Sequence, residues 1–252
     1  MKTVTVGQVT IGTGQPKIIV PMVGKTESEL LTEAKMIHSL DCDLVEWRID
    51  FFDHVQVPQI VAKLSHTLKT ILKKPLLITF RTKKEGGVCE LSDADYFALY
   101  QTIIAEGCLD LLDIELFMPE ENVAETIDLA HKNNIKVILC NHDFNQTPAK
   151  KEIVTRLQKM QNKGADICKI AVMPQNSADV LTLLTATREM HEEHADVPLI
   201  TMSMGALGMI SRVSGQLFGS AATFGSAKTA SAPGQIPVAE LRKMLATLKL
   251  TQ

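Results

Sequence analysis

The sequence predicts an α/β protein folded as one (β/α)8 barrel, the TIM-barrel architecture. Short apolar segments rich in β-branched residues alternate with longer amphipathic segments from residue 17 to the C-terminus. The short segments number eight, and eight βα units typically need about 250 residues, against 252 in this chain. An open, doubly wound sheet is the alternative. The eightfold count and the lack of a glycine-rich turn after the first of these strands favour the barrel.

The predicted strands are mostly apolar without strict alternation, which is typical of parallel strands covered on both faces. In chain order they are residues 17–23, 43–50, 75–81, 110–115, 136–142, 166–172, 198–202 and 220–224. Residues 1–16 precede them, and within that segment residues 3–11 alternate around Gly7-Gln8, a pair suited to a two-residue hairpin turn. Because this hairpin leads directly into the first strand, we expect it to close the bottom of the barrel. All 252 residues then form one domain.

Helix signals lie between the strands. Thr26 and Glu29 form a capping box, and Thr147-Pro148 predicts an N-cap followed by proline at the first helical position. Pro237 opens the last helix. Helical spacing predicts four buried faces: Leu30, Ala34 and Ile37; Val123, Ile127 and Ala130; Ile153, Leu157 and Met160; Val238, Leu241 and Leu245.

Composition and charge exclude several classes of protein. Lys and Arg number 26 against 29 Asp and Glu, and aromatics are 4%, which argues against a nucleic-acid binder. No apolar run approaches the roughly 20 residues of a membrane span, and the N-terminus shows no apolar core of a secretory signal. The five cysteines are widely spread without a CxxC pair, which predicts no disulfide framework, no zinc site and a cytoplasmic location.

Barrel enzymes place their catalytic groups at the C-terminal ends of the strands and in the loops that follow. The polar residues predicted there are Glu46, Arg48, Arg81, Glu85, Asp113, Glu115, His142, Lys169, Arg212, Ser231 and Gln235. Lys169 lies in an apolar strand, where a buried ammonium is costly unless it is paired or deprotonated. It is either a structural lysine paired with a carboxylate such as Glu46 or Glu115, or a Schiff-base lysine whose pKa is lowered by desolvation and nearby cations.

His142 ends the strand next to that of Lys169, where an imidazole can move protons near neutral pH. Glu85 or Asp113 could hold its other ring nitrogen. Three arginines on neighbouring rims, at positions 48, 81 and 212, indicate an anionic substrate, because the guanidinium fork matches a carboxylate or phosphate.

Three other features of the sequence give weaker indications of function. His191 and His194 are three residues apart, whereas the helix of a zinc protease spaces its histidines four apart, so they predict solvated surface and no metal. Cys140 lies one step deeper in its strand than His142 and is expected to be core. Residues 225–236 are small or polar, and we expect them to form a mobile active-site loop.

Seven segments resemble the type I 3-dehydroquinate dehydratase family, the Schiff-base dehydroquinases of the shikimate pathway. They are DLVEWRID (43–50), LITFRTKKEGG (77–87), DIELF (113–117), NHDF (141–144), KIAVMP (169–174), SR (211–212) and SAPGQ (231–235). The resemblance spans nearly the whole chain in the expected order. It implies a (β/α)8 barrel that is a homodimer, uses no metal or organic cofactor, and dehydrates 3-dehydroquinate to 3-dehydroshikimate.

The resemblance also implies roles for single residues. Lys169 resembles the imine-forming lysine, His142 the general acid/base and Glu85 its orienting partner, with Asp113 as a possible contributor behind them. The groups that resemble substrate contacts are Glu46, Arg48, Arg81, Arg212, Ser231 and Gln235, and Met202, Phe224 and Ala232 resemble the apolar lining. Two alternatives stay open: a Schiff-base aldolase acting on a phosphorylated sugar, and a non-catalytic barrel that binds a small acid or a protein partner.

Overall fold

The computed structural model describes residues 3–227 and 232–250. Its strands are β1 (Val4–Val6), β2 (Val9–Ile11), β3 (Lys17–Met22), β4 (Leu44–Arg48), β5 (Leu76–Thr79), β6 (Leu111–Glu115), β7 (Lys136–Asp143), β8 (Ile167–Val172), β9 (Leu199–Ser203), β10 (Ala222–Ser226) and β11 (Ile236–Pro237). Its α-helices are α1 (Glu27–His38), α2 (Pro58–Leu72), α3 (Asp93–Glu106), α4 (Glu120–Lys132), α5 (Lys150–Asn162), α6 (Ser177–Glu189), α7 (Met209–Val213), α8 (Gly215–Phe218) and α9 (Val238–Thr247). Among these helices, none combines the length and hydrophobicity that crossing a bilayer requires.

The strands from β3 to β10 form the predicted barrel. Their sheet runs β11-β10-β3-β4-β5-β6-β7-β8-β9, and every neighbouring pair in it is parallel. The ring closes where Leu199 bridges Ser220 and its carbonyl accepts from the Ala221 amide at 2.7 Å. The (β/α)8 prediction is therefore confirmed, and the open-sheet alternative is wrong.

Alternation along the strands divides the barrel interior into layers, because every second side chain points inward. The lowest layer is apolar and consists of Ile19, Leu44, Leu77, Leu111, Ile138 and Ile167. The β1–β2 hairpin places Val4, Val6 and Ile11 against this layer, so it covers the N-terminal end of the barrel as predicted. Two residues further along the strands the inward positions become polar, and the candidate site begins there.

A second core lies between the sheet and the helices. The four helix faces predicted from spacing are all buried in it, and the Thr26–Glu29 capping box is present at the start of α1. Cys168 also lies in this outer core, so its side chain points away from Lys169 as alternation requires.

Two local predictions are wrong. Helix α5 begins at Lys150 and not at Pro148, because the Thr147 hydroxyl donates to the Met173 carbonyl at 3.1 Å instead of capping a helix. The last barrel strand is displaced by two residues, to Ala222–Ser226. Gly225 and Ser226 pair with β11, which includes Ile236, so both ends of the predicted loop 225–236 belong to strands. Residues 228–231 of that prediction lie outside the described residues.

Candidate active site

A cleft of about 450 Å³ opens at the C-terminal ends of the barrel strands. Eleven of the twelve residues that the sequence assigns to the site line it: Glu46, Arg48, Arg81, Glu85, His142, Lys169, Met202, Arg212, Phe224, Ala232 and Gln235. The twelfth, Ser231, lies outside the described residues. These positions are distant in the sequence, but the alternation of the strands points their side chains into the same barrel interior. Glu46 and Lys169, for example, each lie two residues after a side chain of the apolar layer.

Lys169 is 3% exposed and lies among carboxylates. Its Nζ is 3.0 Å from Asp113 Oδ2, 3.5 Å from Glu46 Oε1 and 4.7 Å from the centre of the Phe224 ring. Burial alone would lower the pKa of this lysine, but Asp113 and Glu46 outweigh burial and raise the pKa above its ordinary value. The expectation of a lowered pKa is therefore wrong, because the ε-amine faces anions more closely than cations.

Arg81 occupies the centre of the polar interior and does not present a free guanidinium to the cleft. Its Nη1 donates to Glu115 Oε1 at 2.9 Å, and its Nη2 donates to Asp113 Oδ1 at 2.5 Å. Glu115 is thus paired with Arg81 and not with Lys169. Burial would raise the pKa of Asp113, but Arg81 and Lys169 hold that pKa well below its usual range, so Asp113 is an anion.

His142 and Glu85 form a hydrogen-bonded pair beside this cluster. Glu85 ends a single 3₁₀ turn after β5, which stops at Gly86 with φ +87°; a Cβ at Gly86 would overlap the ring of Phe144. Glu85 Oε2 lies 3.0 Å from His142 Nδ1 and accepts from the His142 backbone amide at 2.9 Å. Of the two carboxylates expected beside this histidine, Glu85 is therefore the one in contact.

The pKa values of this pair move in opposite directions. Burial, with the positive charges of Arg81 and Lys169, lowers the pKa of His142 well below its usual value. Burial, with the negative charge of Glu115, raises the pKa of Glu85 to about 8. Both shifts disfavour a separated carboxylate–imidazolium ion pair, so His142 is neutral near pH 7. A neutral imidazole with a carboxyl group on Nδ1 is the arrangement that a proton-transfer group needs.

The three predicted arginines differ in what they offer a ligand. Arg48 forms a two-point ion pair with Asp50, through Nε at 2.8 Å and Nη2 at 2.9 Å. Arg212 is 1% exposed and has no carboxylate partner among the described residues; its Nη2 donates to the Pro233 carbonyl, and its buried Nε has no acceptor. Burial lowers the pKa of Arg212 to about 10, which still leaves it a cation at neutral pH. Arg212 is therefore the arginine that is best suited to an anionic ligand.

Sequence reasoning missed several residues around the cleft. Thr79 donates to Glu46 at 2.9 Å, Asp50 holds Arg48, and Phe144, Ala171 and Met204 also line the cleft. Cys140 faces the polar interior instead of the apolar core: its thiol lies 3.0 Å from Asp113 Oδ1, and burial raises its pKa well above the ordinary value. Strict alternation from the apolar layer would have found Thr79 and Cys140, since each lies two residues beyond it.

One cluster carries ligand types that zinc prefers. Donor atoms of Glu85, Cys140 and His142 lie within 4.8 Å of one another. Arg81 Nη1, however, lies 3.0 Å from Cys140 Sγ and 3.7 Å from Glu85 Oε2. A cation bound there would meet a fixed positive charge at contact distance, so the arrangement suits proton transfer better than metal binding.

Comparison with known proteins gives a consistent result over the whole chain. The family model for type I 3-dehydroquinase matches residues 18–252. The 3-dehydroquinate dehydratase of Enterococcus faecalis is 56% identical over 250 residues, which cover 99% of each chain. The enzyme of that name from Salmonella paratyphi B is 52% identical over 249 residues, or 98% of this chain and 99% of its own.

Solved structures agree. The Enterococcus faecalis 3-dehydroquinate dehydratase superimposes with a TM-score of 0.94 at 52% identity, over 98% of this chain and 100% of the other. The Clostridium difficile type I 3-dehydroquinate dehydratase, crystallised with covalently modified comenic acid, gives a TM-score of 0.95 at 49% identity over 98% of both chains.

Proposed function

Since this chain belongs to the type I 3-dehydroquinase family, and is a hydro-lyase that dehydrates 3-dehydroquinate in the shikimate pathway, we propose that Lys169, His142 and Glu85 carry out the reaction. The observation that carries the proposal is that Lys169 and His142 lie on adjacent strands and face one cleft together with Glu85. Family membership sets aside the aldolase and the non-catalytic barrel.

The reaction begins with a covalent bond. The ammonium of Lys169 releases one proton, and its freed Nζ attacks the ketone carbon of the substrate. The oxygen leaves as water, with that proton and one of the two protons left on Nζ, and a protonated imine remains. This cationic imine is an electron sink, so the neighbouring carbon-bound proton becomes acidic enough for an imidazole to remove. A neutral ketone would not acidify that proton sufficiently.

His142 then serves twice. Its Nε2 takes the proton from the carbon beside the imine, and the electron pair moves to nitrogen to form a neutral enamine. The resulting imidazolium, stabilised by Glu85 on Nδ1, returns a proton to the β-hydroxyl, which leaves as water while the enamine returns to the imine. Hydrolysis of the imine frees Lys169 and releases 3-dehydroshikimate. A positioned acid/base contributes about 10²–10⁴-fold, so the covalent sink and the preorganised charges supply most of the remaining acceleration.

Substrate binding uses the other groups of the cleft. Arg212 receives the carboxylate, because it combines a buried positive charge with an Nε that has no acceptor. Glu46, Arg48, Arg81, Ser231 and Gln235 contact the ring hydroxyls and the carboxylate, with Arg48 and Arg81 held in place by their own carboxylate partners. Met202, Phe224 and Ala232 pack against the ring carbons.

Trapping of the imine tests this proposal. The protein is incubated with 3-dehydroquinate, reduced with borohydride, and analysed by intact mass and peptide mapping. We expect one adduct, on Lys169, and none in Lys169→Ala; the exposed Lys84 provides the matched control, since Lys84→Ala should trap normally. His142→Ala should still form the adduct but lose turnover. An adduct on another residue, or turnover that survives His142→Ala, would overturn the assignment of roles.

We also propose that the chain acts in the cytoplasm as a homodimer of single-domain subunits. Five free thiols are typical of a reducing compartment. Of the twelve exposed large apolar side chains among the described residues, seven fall between Leu207 and Leu250, in or beside α7, α8 and α9. A patch of this kind fits a second copy of the chain. Light scattering should give twice the mass of one chain for the wild type and a monomer for Leu217→Glu.

A further inference from the structure

Asn141 connects the catalytic pair to the outer helices. It lies on β7 between Cys140 and His142, and it is 4% exposed. Its Nδ2 donates to Glu85 Oε1 at 2.9 Å, so it holds the carboxylate oxygen that does not face His142. Its Oδ1 accepts from Arg156 Nη1, also at 2.9 Å. A continuous hydrogen-bonded chain therefore runs from Arg156 through Asn141 and Glu85 to His142.

The direction of this chain is set by Arg156. An amide can turn over and exchange its oxygen for its nitrogen at nearly the same position. A guanidinium can only donate, so it requires the amide oxygen on its own side. The amide nitrogen must then face Glu85, whose Oε1 accepts from it. If the amide turned over, its oxygen would face the carboxylate, and the two acceptors would repel each other.

Arg156 itself is fixed from two sides. It lies on α5, where its Nε donates to Glu152 Oε1 at 2.8 Å. Its guanidinium carbon lies 5.5 Å from the centre of the Phe117 ring, within the range of a cation–π contact. These contacts hold the planar group in one orientation, so the side chain can impose a direction on its neighbour instead of adapting to it.

We propose that Arg156 is a positioning residue for the dehydration, which locks the Asn141 amide so that Glu85 keeps one oxygen against His142 Nδ1. The proposal rests on the roles proposed above for Glu85 and His142. Arg156 touches neither the cleft nor the reacting atoms, and it acts only through Asn141. Without Arg156 the Asn141 amide can turn over, and Glu85 then loses a hydrogen-bond donor. This loss favours the protonated form of Glu85. Less of the neutral His142 then has a free Nε2.

The pH profile of kcat/KM is a suitable readout because the other charges around the pair stay in place in an Arg156 variant. The groups that act electrostatically on Glu85 or His142 are Arg48, Arg81, Asp113, Glu115, Cys140 and Lys169, and Lys84, Asp93 and Asp143 line the outer cavity beside them. A shift in the profile therefore arises from the changed charge at position 156 or from the amide that this side chain orients.

The experiment is a graded series at position 156. Arg156→Lys keeps a donor-only group and should retain most of the activity. Arg156→Gln can face the amide either way and should lose part of kcat. Arg156→Glu accepts only, so it should turn the amide and lower kcat about 10-fold, a fraction of the ~10²–10⁴-fold that a positioned acid/base contributes. In Arg156→Glu the acid limb of kcat/KM should move to higher pH, with KM changed less than kcat.

Two further variants separate positioning from a merely structural role. Arg188→Glu on α6 removes an arginine with the same i,i+4 ion pair, to Glu192, and should leave kcat and the pH profile unchanged. Asn141→Asp cannot donate to Glu85 and should match Arg156→Glu. The proposal is overturned if Arg156→Glu keeps the wild-type kcat and pH profile, or if it loses only thermal stability, as Arg188→Glu could. It fails separately from the proposed function when Arg156→Glu is fully active while His142→Ala is not.

Discussion

Asp113 divides its two carboxylate oxygens between two cations: Oδ2 lies 3.0 Å from Lys169 Nζ, and Oδ1 accepts from Arg81 Nη2 at 2.5 Å. All three side chains are almost completely buried. The carboxylate therefore fixes the distance between Lys169 Nζ and the Arg81 guanidinium, and it stabilises the lysine as an ammonium.

Asp113→Asn should destabilise the fold strongly, because the buried cations of Lys169 and Arg81 both lose the carboxylate that they share. Breaking one partner of a buried ion pair typically lowers the free energy of unfolding by about 3–5 kcal/mol. Urea denaturation measures this change. The control is Glu192→Gln, whose ion pair with Arg188 is about half exposed and is expected to matter by less than about 1 kcal/mol. Equal losses in the two variants would contradict the prediction.

His142 should titrate below the pH of an ordinary histidine. Its pKa is lowered by burial and by Arg81 and Lys169, so its neutral form persists through pH 6.5, where a free imidazole is half protonated. The NMR signal of its ring Cε1–H, assigned by its absence in His142→Ala, should therefore move only at lower pH. The acid limb of kcat is expected below pH 6.5 if the same proton limits turnover. A midpoint above 6.5 would refute the prediction.

Arg212→Gln should act mainly on substrate binding. A hydrogen bond to a charged group contributes about 1.5–3 kcal/mol, which corresponds to a rise in KM of about 10- to 150-fold. Steady-state kinetics with 3-dehydroquinate measures it. Arg242→Gln is the matched control, because Arg242 pairs with Asp41 and Asp43 away from the cleft and should leave KM unchanged. A KM for Arg212→Gln close to that of the control would exclude Arg212 as the carboxylate contact.

Ile11→Ala should weaken the closed end of the barrel without touching catalysis. Ile11 is fully buried against the apolar layer, and truncating such a side chain costs about 2–5 kcal/mol. Thermal denaturation should show a clear loss, whereas Thr5→Ala on the exposed face of the same hairpin should be close to wild type. Activity measured well below the melting temperature should not change. A parallel loss of kcat would show that the hairpin also positions the site.

The order of elements and most of the site residues follow from short-range patterns in the sequence. Strand spacing predicts the barrel, and helical spacing predicts faces such as Leu30, Ala34 and Ile37, because burial repeats with the period of each element. The position of polar residues at strand ends then predicts the cleft.

Pairing inside the polar layer does not follow from such patterns. Lys169 Nζ lies 3.0 Å from Asp113 and 3.5 Å from Glu46, and its pairing with these carboxylates instead of Glu115 depends on side-chain rotamers that no sequence pattern specifies. The two carboxylates outweigh burial, so the lysine pKa is raised and not lowered. The contact between Arg156 and Asn141 joins a helix to a strand 15 residues away. The hydroxyl of Thr147 likewise donates to the distant Met173 carbonyl instead of capping the helix that follows it.

The ion pairs of Lys169 have a chemical consequence for its reactivity before a substrate binds. An ammonium has no lone pair, so it does not condense with aldehydes or become acylated. The carboxylates that raise the pKa of this lysine thus keep the nucleophile unreactive toward stray carbonyl compounds that enter the barrel. With Arg212 as the proposed carboxylate contact, a bound ligand would stay beside the amine long enough to meet its rare neutral form. Residence time, more than intrinsic nucleophilicity, then decides which ketone is captured.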